Sequence, residues 1–203
     1  ERGIFAGGAI YVGDGIYNPS NTIDYITINS TGNADDFGDL SQAKKYFVGC
    51  SNGRNERGIF AGGIISSGTD KTNVIEYITI NSTGNATNFG DLNVFPFYRA
   101  NFSSCSNGTN ERGVFGGGGQ AFDVAYDILD YITINSTGNS SDFGDLTVNR
   151  ADLTATSNAT NERGIFGGGI NEIDQLQNVI SYITINSIGN AIDFGDLNVR
   201  KFR

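Results

Sequence analysis

The chain contains no His, no Met and no Trp, and has only two Pro and two Cys among its 203 residues. Without His there is no side chain that ordinarily titrates near neutrality and none of the commonest metal ligand, which excludes Ser-His-Asp and Cys-His catalysis and the usual zinc sites. Without Met there is no initiator, so the chain is expected to be a processed product or a piece of a longer one. Basic residues are scarce as well: 13 Lys and Arg face 22 Asp and Glu, a net charge of -9. That balance repels a phosphate backbone, so no nucleic-acid partner is expected. No apolar run approaches bilayer length and no basic segment leads into one, so neither a membrane span nor a signal peptide is predicted.

Gly, by contrast, is abundant at 29 residues, and much of it lies in one recurring phrase. Glu1-Arg2-Gly3-Ile4-Phe5-Ala6-Gly7-Gly8 opens the chain and returns from Glu56, Glu111 and Glu162, a spacing of 51 to 55 residues. Self-similarity at such a period marks a repeat architecture. The sequence divides into repeats 1–55, 56–110, 111–161 and 162–203 of a single domain. None of the Gly runs leads into a helix or into Gly-Lys-(Ser/Thr), so no nucleotide site and no cofactor are predicted.

Within each repeat the same events follow one another. A loop of changing content leads to Ile23–Ile28, Ile75–Ile80, Leu129–Ile134 and Ile180–Ile185, whose β-branched and aromatic residues predict strands. An Asn-Ser-(Thr/Ile)-Gly-Asn turn then reverses the chain through Asp36–Leu40 and its copies ending at Leu92, Leu146 and Leu197. A last segment, Tyr46–Cys50, Ala100–Cys105 or Ala151–Thr156, ends in a Ser-Asn turn before the phrase restarts. Four short antiparallel strands per repeat are the content of a β-propeller blade, so the fold predicted is all-β, a β-propeller of four four-stranded blades. A parallel β-helix is the alternative, and the lack of a 3.6-residue apolar period excludes a helical solenoid. Cys50 and Cys105 fall at one repeat position, with Thr156 third in the series. Neighbouring repeats hold such positions farther apart than the roughly 4.4–6.8 Å between Cα atoms of a disulfide, so two buried thiols are expected, with a disulfide or reactive pair as the alternative.

These residues resemble kelch repeats: an apolar strand ending in Gly-Gly, a Tyr on the next strand, an aromatic followed by Leu, and an Arg leading onward. They are Phe60-Ala61-Gly62-Gly63, Tyr77, Phe89 with Leu92, and Arg99; in the last repeat, Phe166-Gly167-Gly168, Tyr182, Phe194 with Leu197, and Arg200. The resemblance spans all four repeats, with Phe where kelch usually has Trp, and implies kelch-like or galactose-oxidase-like blades. The wording Tyr-Ile-Thr-Ile-Asn-Ser-Thr-Gly-Asn with Phe-Gly-Asp-Leu is also similar to repeats in predicted structural proteins of marine tailed phages, which implies an extracellular or virion-surface setting. Arg200-Lys201-Phe202-Arg203 stands where a further strand would begin. Two readings follow: a four-bladed disc with a ragged closure, which is favoured, or part of a longer chain with more blades.

In an up-and-down blade the loop after the Gly pair and the link after Phe-Gly-Asp-Leu share one face, and the differences between repeats concentrate there. Loops on a rigid scaffold carry function. That face offers Tyr11, Asp14, Tyr17, Phe97, Tyr98, Phe122 and Tyr126 as ligand-binding candidates, beside Asp70, Lys71, Phe95, Asp123, Asp127, Glu172, Asp174 and Gln175. Aromatics next to carboxylates and amides suit a glycan; a protein partner, self-assembly, other virion proteins or plain loop packing are the alternatives. The function expected is a non-enzymatic structural or adhesion module, with no catalytic residues. Its rival is a carbohydrate-active enzyme using Asp14, Asp123 and Glu172 as acid and base. Arg2, Arg57, Arg112 and Arg163 are each predicted to form a charge-assisted pair with an Asp of the same or the adjacent blade, from the set Asp39, Asp91, Asp145 and Asp196, as a fourfold scaffold. Clustered Asp35, Asp36 and Asp39 lack an EF-hand register, so no metal is predicted. Sequons at Asn29, Asn81, Asn85, Asn101, Asn107, Asn135, Asn139 and Asn158 read as Asn-rich turns, or as glycan acceptors in a secretory setting.

Overall fold

A computed structural model describes residues 1–52, 56–68, 70–93, 95, 98–107, 112–121, 124–158, 162–173 and 175–202, with 120 and 121 described by backbone alone. Its described residues are all-β. In the first sheet the long strand β3 (Ile16–Thr27) pairs with β1 (Arg2–Ala6) and β2 (Ala9–Gly13) end to end on one edge and with β4 (Asp35–Lys44) on the other. The second sheet runs β5 (Val48–Ser51), β6 (Arg57–Ala61), β7 (Val74–Thr79), β8 (Thr87–Asp91) in spatial order. In the third, β9 (Ser103–Ser106) and β10 (Arg112–Gly116) lie beside β13 (Ile128–Thr133) and β14 (Ser141–Asp145), while β11 (Gly119–Ala121) and β12 (Val124–Ala125) form a small ribbon in the intervening loop. The fourth is β15 (Thr154–Ser157), β16 (Arg163–Gly167), β17 (Val179–Thr184), β18 (Ile192–Asp196). Four four-stranded antiparallel sheets thus stand in sequence order, and among the described residues the first has no counterpart of β5, β9 or β15.

Hydrophobic clusters fill the spaces between successive sheets. Ile23, Phe37 and Leu40 of the first sheet pack on Phe60, Ile78 and Ile80 of the second. Ile59, Ile75 and Phe89 pack on Phe115, Ile132 and Ile134, and Val114, Leu129 and Phe143 pack on Phe166, Ile183 and Ile185. An inner sheet is therefore covered on both faces, which is why the Gly-Ile-Phe strands read as continuous apolar runs rather than alternating ones. Neighbour, not local sequence, decides burial. Both β1 and β6 spell Arg-Gly-Ile-Phe-Ala, yet Phe5 is 57% exposed and Phe60 7%.

A β-bulge recurs at one place in each sheet. The register shifts between Ile23 and Asp24, Ile75 and Glu76, Leu129 and Asp130, and Ile180 and Ser181. The residue skipped on the opposite strand is Phe37, Phe89, Phe143 or Phe194, and a bulge re-aims such a side chain. The first three are buried in the junctions, each edge-on to the Tyr of its own sheet at 5.9 to 6.0 Å between ring centroids.

Candidate functional site

The junctions account for the repeated polar residues. Gly84, Gly138 and Gly189 donate their N–H groups to the carbonyls of Phe37, Phe89 and Phe143 in the preceding sheet, each at 2.8 Å. The side-chain oxygens of Asn85, Asn139 and Asn190 accept from the N–H of Asp39, Asp91 and Asp145 at 3.0 to 3.1 Å. So close is the approach that a Cβ on Gly144 would lie 2.6 Å from the Gly189 backbone. The Asn-Ser-Thr-Gly-Asn segment is a docking element as much as a turn.

The repeated Arg and Asp do not pair with each other, which corrects the scaffold expected from the sequence. Arg2 faces Thr27 at one end of β3, whereas Asp39 faces Thr22 in the middle of that strand. Five strand residues separate the two, roughly 16 Å at about 3.3 Å per residue. Instead, the guanidinium groups of Arg2, Arg57, Arg112 and Arg163 lie over the rings of Tyr25, Tyr77, Tyr131 and Tyr182 at 4.4 to 4.5 Å. From there Arg2, Arg57 and Arg112 donate to the carbonyls of Ile80, Ile134 and Ile185 in the following sheet at 2.8 to 3.0 Å. Asp39, Asp145 and Asp196 are exposed and Asp91 half-buried.

A second set of charges crosses the same junctions, and sequence reasoning missed its partners. Lys44 forms an ion pair with Glu76, and Arg99 with Asp130, all four side chains being fully buried. Glu76 also accepts from the Ser41 N–H at 2.7 Å. At the third junction Arg150 meets no acid among the described residues: it donates to Ser181 Oγ at 2.8 Å and to the carbonyls of Val179, Phe166 and Gly168. Burial lowers the Lys44 ammonium from its ordinary value, against the pull of Glu76. It also brings the Arg99 guanidinium down to about 9 and that of Arg150 to about 10. The Gly8, Gly63, Gly118 and Gly169 N–H groups donate to the carbonyls of Lys44, Arg99, Arg150 and Lys201. Lys201, not Arg200, therefore holds the basic position of the last repeat.

Both cysteines are free thiols, Cys105 buried and Cys50 half-buried. Burial pushes the Cys50 thiol up to about 12 and the Cys105 thiol up as well. Each touches the next sheet: a Cβ on Gly113 would meet Cys50 Sγ at 2.9 Å, and one on Gly164 would meet Cys105 Sγ at 2.5 Å.

The loop face is shared as the repeat geometry requires. Lys45 pairs with Ile64, Ala100 with Gly119 and Ala151 with Ile170, so each link after a Phe-Gly-Asp-Leu strand lies against the loop after a Gly pair in the following sheet. Of the binding candidates, Tyr11, Asp14 and Tyr17 come together on the β2–β3 hairpin. Tyr11 and Tyr17 are directly opposite in register, 60% and 50% exposed, with ring centroids 5.2 Å apart at 47°. Asp14 occupies the hairpin turn in the left-handed region, φ 50°. Lys45 braces the hairpin by donating to the Tyr17 carbonyl at 2.8 Å. Tyr98 is exposed elsewhere on the face; Tyr126 is half-buried, and burial raises its phenol above the ordinary value. Phe97, Phe122, Asp123 and Asp174 lie outside the described residues. Glu172 accepts from the Asn149 side chain at 2.9 Å, on a loop of the fourth sheet, while Asp14 belongs to the first.

Tyr46, Asn101 and Asp152 extend the site toward the inner strands. All three adopt left-handed φ of 52° to 59°, and the Asn101 N–H donates to the Tyr46 carbonyl and that of Asp152 to the Asn101 carbonyl at 3.1 and 2.8 Å. Such conformations in non-Gly residues are strained and gather where a structure over-determines them. Their shared place in the link could have been found by aligning the repeats on the basic residue two positions earlier.

No protein-family model and no curated protein matches the chain. Among solved structures, that of YjhT superposes over 99% of this chain and 69% of its own with a TM-score of 0.75, at 10% sequence identity. That is a likeness of fold.

Proposed function

We propose that this protein is a non-enzymatic structural and adhesion module: four kelch-like blades of a β-propeller that present one loop face to a protein or glycan partner in an extracellular or virion-surface setting. The observation that carries this reading is the β2–β3 hairpin. Ile10, Tyr11, Val12, Ile16 and Tyr17 are all about half exposed or more on one short ribbon. Successive strand residues point to opposite faces, so the ribbon carries exposed apolar side chains on both, a concentration of the kind that marks an interaction site. The aliphatic neighbours favour a protein surface, and the tilted Tyr pair also offers a sugar ring a stacking face. Repeated side chains are engaged in the junctions, which leaves the loops as the carriers of specificity. The similarity of the Tyr-Ile-Thr-Ile-Asn-Ser-Thr-Gly-Asn repeats to structural proteins of marine tailed phages supports the setting.

A glycan array, and cross-linking to proteins of the native particle or cell surface, test the reading with the Tyr11→Ala/Tyr17→Ala double variant as comparison. The expected result is a bound partner that the double variant no longer holds, with its melting temperature unchanged. Undiminished binding by that variant sinks the assignment to the hairpin, and turnover of a bound glycan would put the enzyme reading first.

A further inference from the structure

One repeat position keeps its backbone and changes its side chain. Tyr46, Asn101 and Asp152 each stand two residues ahead of an edge strand, β5, β9 or β15, and all three are left-handed. At another repeated left-handed place the chain uses Gly throughout: Gly7, Gly62, Gly117 and Gly168 follow the Gly-Ile-Phe strands at φ of 55° to 70°. Asn and Asp tolerate this conformation and a bulky aromatic does so rarely, so Gly would be the residue of least strain at all three positions. A phenol, an amide and a carboxylate stand there instead. Scaffold positions carry one residue type, as the four Arg over Tyr do; three different polar groups on one backbone geometry make the asymmetric set that recognition of a ligand needs.

The three positions are linked side by side. The Asn101 N–H donates to the Tyr46 carbonyl and the Asn101 carbonyl accepts from Asp152, so Asn101 has a described sheet on either side and the place is internal to the array. Beyond them the edge strands are stitched together by small residues: Ser104 and Ser106 donate their hydroxyls to the carbonyls of Gly49 and Ser51 at 2.9 and 2.7 Å, and Ser157 donates to that of Ser106 at 2.7 Å. Asn101 Oδ1 is buried and accepts no hydrogen bond among the described residues. Buried polar atoms are nearly always paired, so this acceptor calls for a donor from outside the chain. On the other side Lys45 connects the place to the β2–β3 hairpin. Its ammonium donates to the Tyr17 carbonyl and lies 5.8 Å from the centroid of the Tyr46 ring. Tyr46, 50% exposed, thus continues the aromatic track of Tyr11 and Tyr17 toward Asn101.

We infer that Tyr46, Asn101 and Asp152 form a second saccharide subsite, inward of the hairpin, and that the glycan it takes is uncharged. This subsite rests on the glycan side of the function proposed above. One sugar ring lies on Tyr46, with a hydroxyl donating to Asn101 Oδ1 and another to the Asp152 carboxylate, while the neighbouring sugar of the same glycan meets Tyr11 and Tyr17. A pyranose offers both an apolar ring face and a rim of hydroxyl donors, which match an aromatic beside two acceptors. Asp14, Asp152 and a net charge of -9 repel a uronate or any other acidic sugar.

Titration of the 203-residue chain with lactose, maltose and diacetylchitobiose as neutral probes, and with a uronate-ended disaccharide as the acidic one, tests the assignment. The reporter is the Asn101 side-chain amide signal in nitrogen-15 NMR spectra, identified by its absence from Asn101→Gly. At least one neutral probe is expected to shift that signal, and the acidic probe to leave it in place. Tyr46→Gly and Asn101→Gly each weaken binding about tenfold, the loss of one stacking or hydrogen-bonding contact. Both keep the wild-type circular dichroism spectrum, because Gly adopts the left-handed backbone without strain. Binding that disappears in the Tyr11→Ala/Tyr17→Ala variant but is untouched by the two Gly variants leaves the hairpin assignment standing and overturns the second subsite. No shift with any neutral probe, equal binding of the uronate, or a lactose-soaked crystal with only water on Asn101 Oδ1 overturns it as well.

Discussion

The Arg99–Asp130 pair makes a sharp energetic prediction. Both side chains are 1% exposed, the guanidinium comes from the link after β8 and the carboxylate from β13, so the pair joins two sheets across an apolar junction. Replacing Asp130 by Ala leaves a cation in a space without water. Removing one partner of such a pair costs roughly 3–5 kcal/mol, because the remaining charge is buried without compensation. For a chain of this size each kcal/mol moves the melting temperature by about 2–4 °C, so a fall of roughly 6–20 °C is expected. Ser181→Ala provides the internal standard: it removes a neutral acceptor from Arg150, which keeps its three carbonyls, and should cost about 1 kcal/mol. Replacing both members of the first pair, as Arg99→Met with Asp130→Leu, should recover most of the loss, since a well-packed apolar pair can substitute for a buried ion pair. Urea titrations of the four proteins decide the matter. If Asp130→Ala costs no more than Ser181→Ala, the carboxylate is not acting as a counter-charge and the reasoning fails.

Three further outcomes follow from the junctions. Gly144→Ala and Gly195→Ala place a methyl on backbone with φ of 138° and 135°, but only the first meets another sheet among the described residues; Gly144→Ala should be the more destabilising by about 1–3 kcal/mol in chemical denaturation. Arg57→Ala removes both a stacked cation and a bond to Ile134, and should cost about 1–3 kcal/mol; Arg163→Ala, with the stacking alone, should cost less, as thermal melts of the two will show. Burial raises the Cys105 thiol above its ordinary value near 9, so above that pH the folded state holds a proton that the unfolded state has released. Stability contributed by Cys105 is therefore complete at neutral pH and declines as pH rises past about 9. The advantage of wild type over Cys105→Ala, followed by urea titration, should shrink by up to about 1.4 kcal/mol per pH unit.

The strands, their turns and the shared loop face were legible in the sequence because each rests on local chemistry: β-branched runs, Asn-Gly turns, and insertions confined to two links. Less legible was anything that depends on which sheet a side chain reaches. Arg2 and Asp39 recur together and carry opposite charges, but strand register sets them five positions apart along β3. The buried cations left a signal, a basic residue four positions after Leu40, Leu146 and Leu197 and an acid before Tyr25, Tyr77 and Tyr131. The longer link before Arg99 and the adjacent Arg200 obscured it. The exposure of Phe5 and Phe194 was invisible for a different reason, since identical wording is buried one repeat away.

The mismatch in length between the buried partners also bears on how near-identical repeats avoid docking on the wrong neighbour. The shorter cation, Lys44, meets the longer acid, Glu76, and the longer cation, Arg99, meets the shorter acid, Asp130, while Arg150 meets a hydroxyl. Exchanging the second and third sheets would set Lys44 against Asp130, two short side chains, and Glu76 against Arg150, two long ones. Chains of similar repeats are prone to misassembly as they fold. In this one, three size-matched locks, each opened by a different key, give almost interchangeable segments a single order.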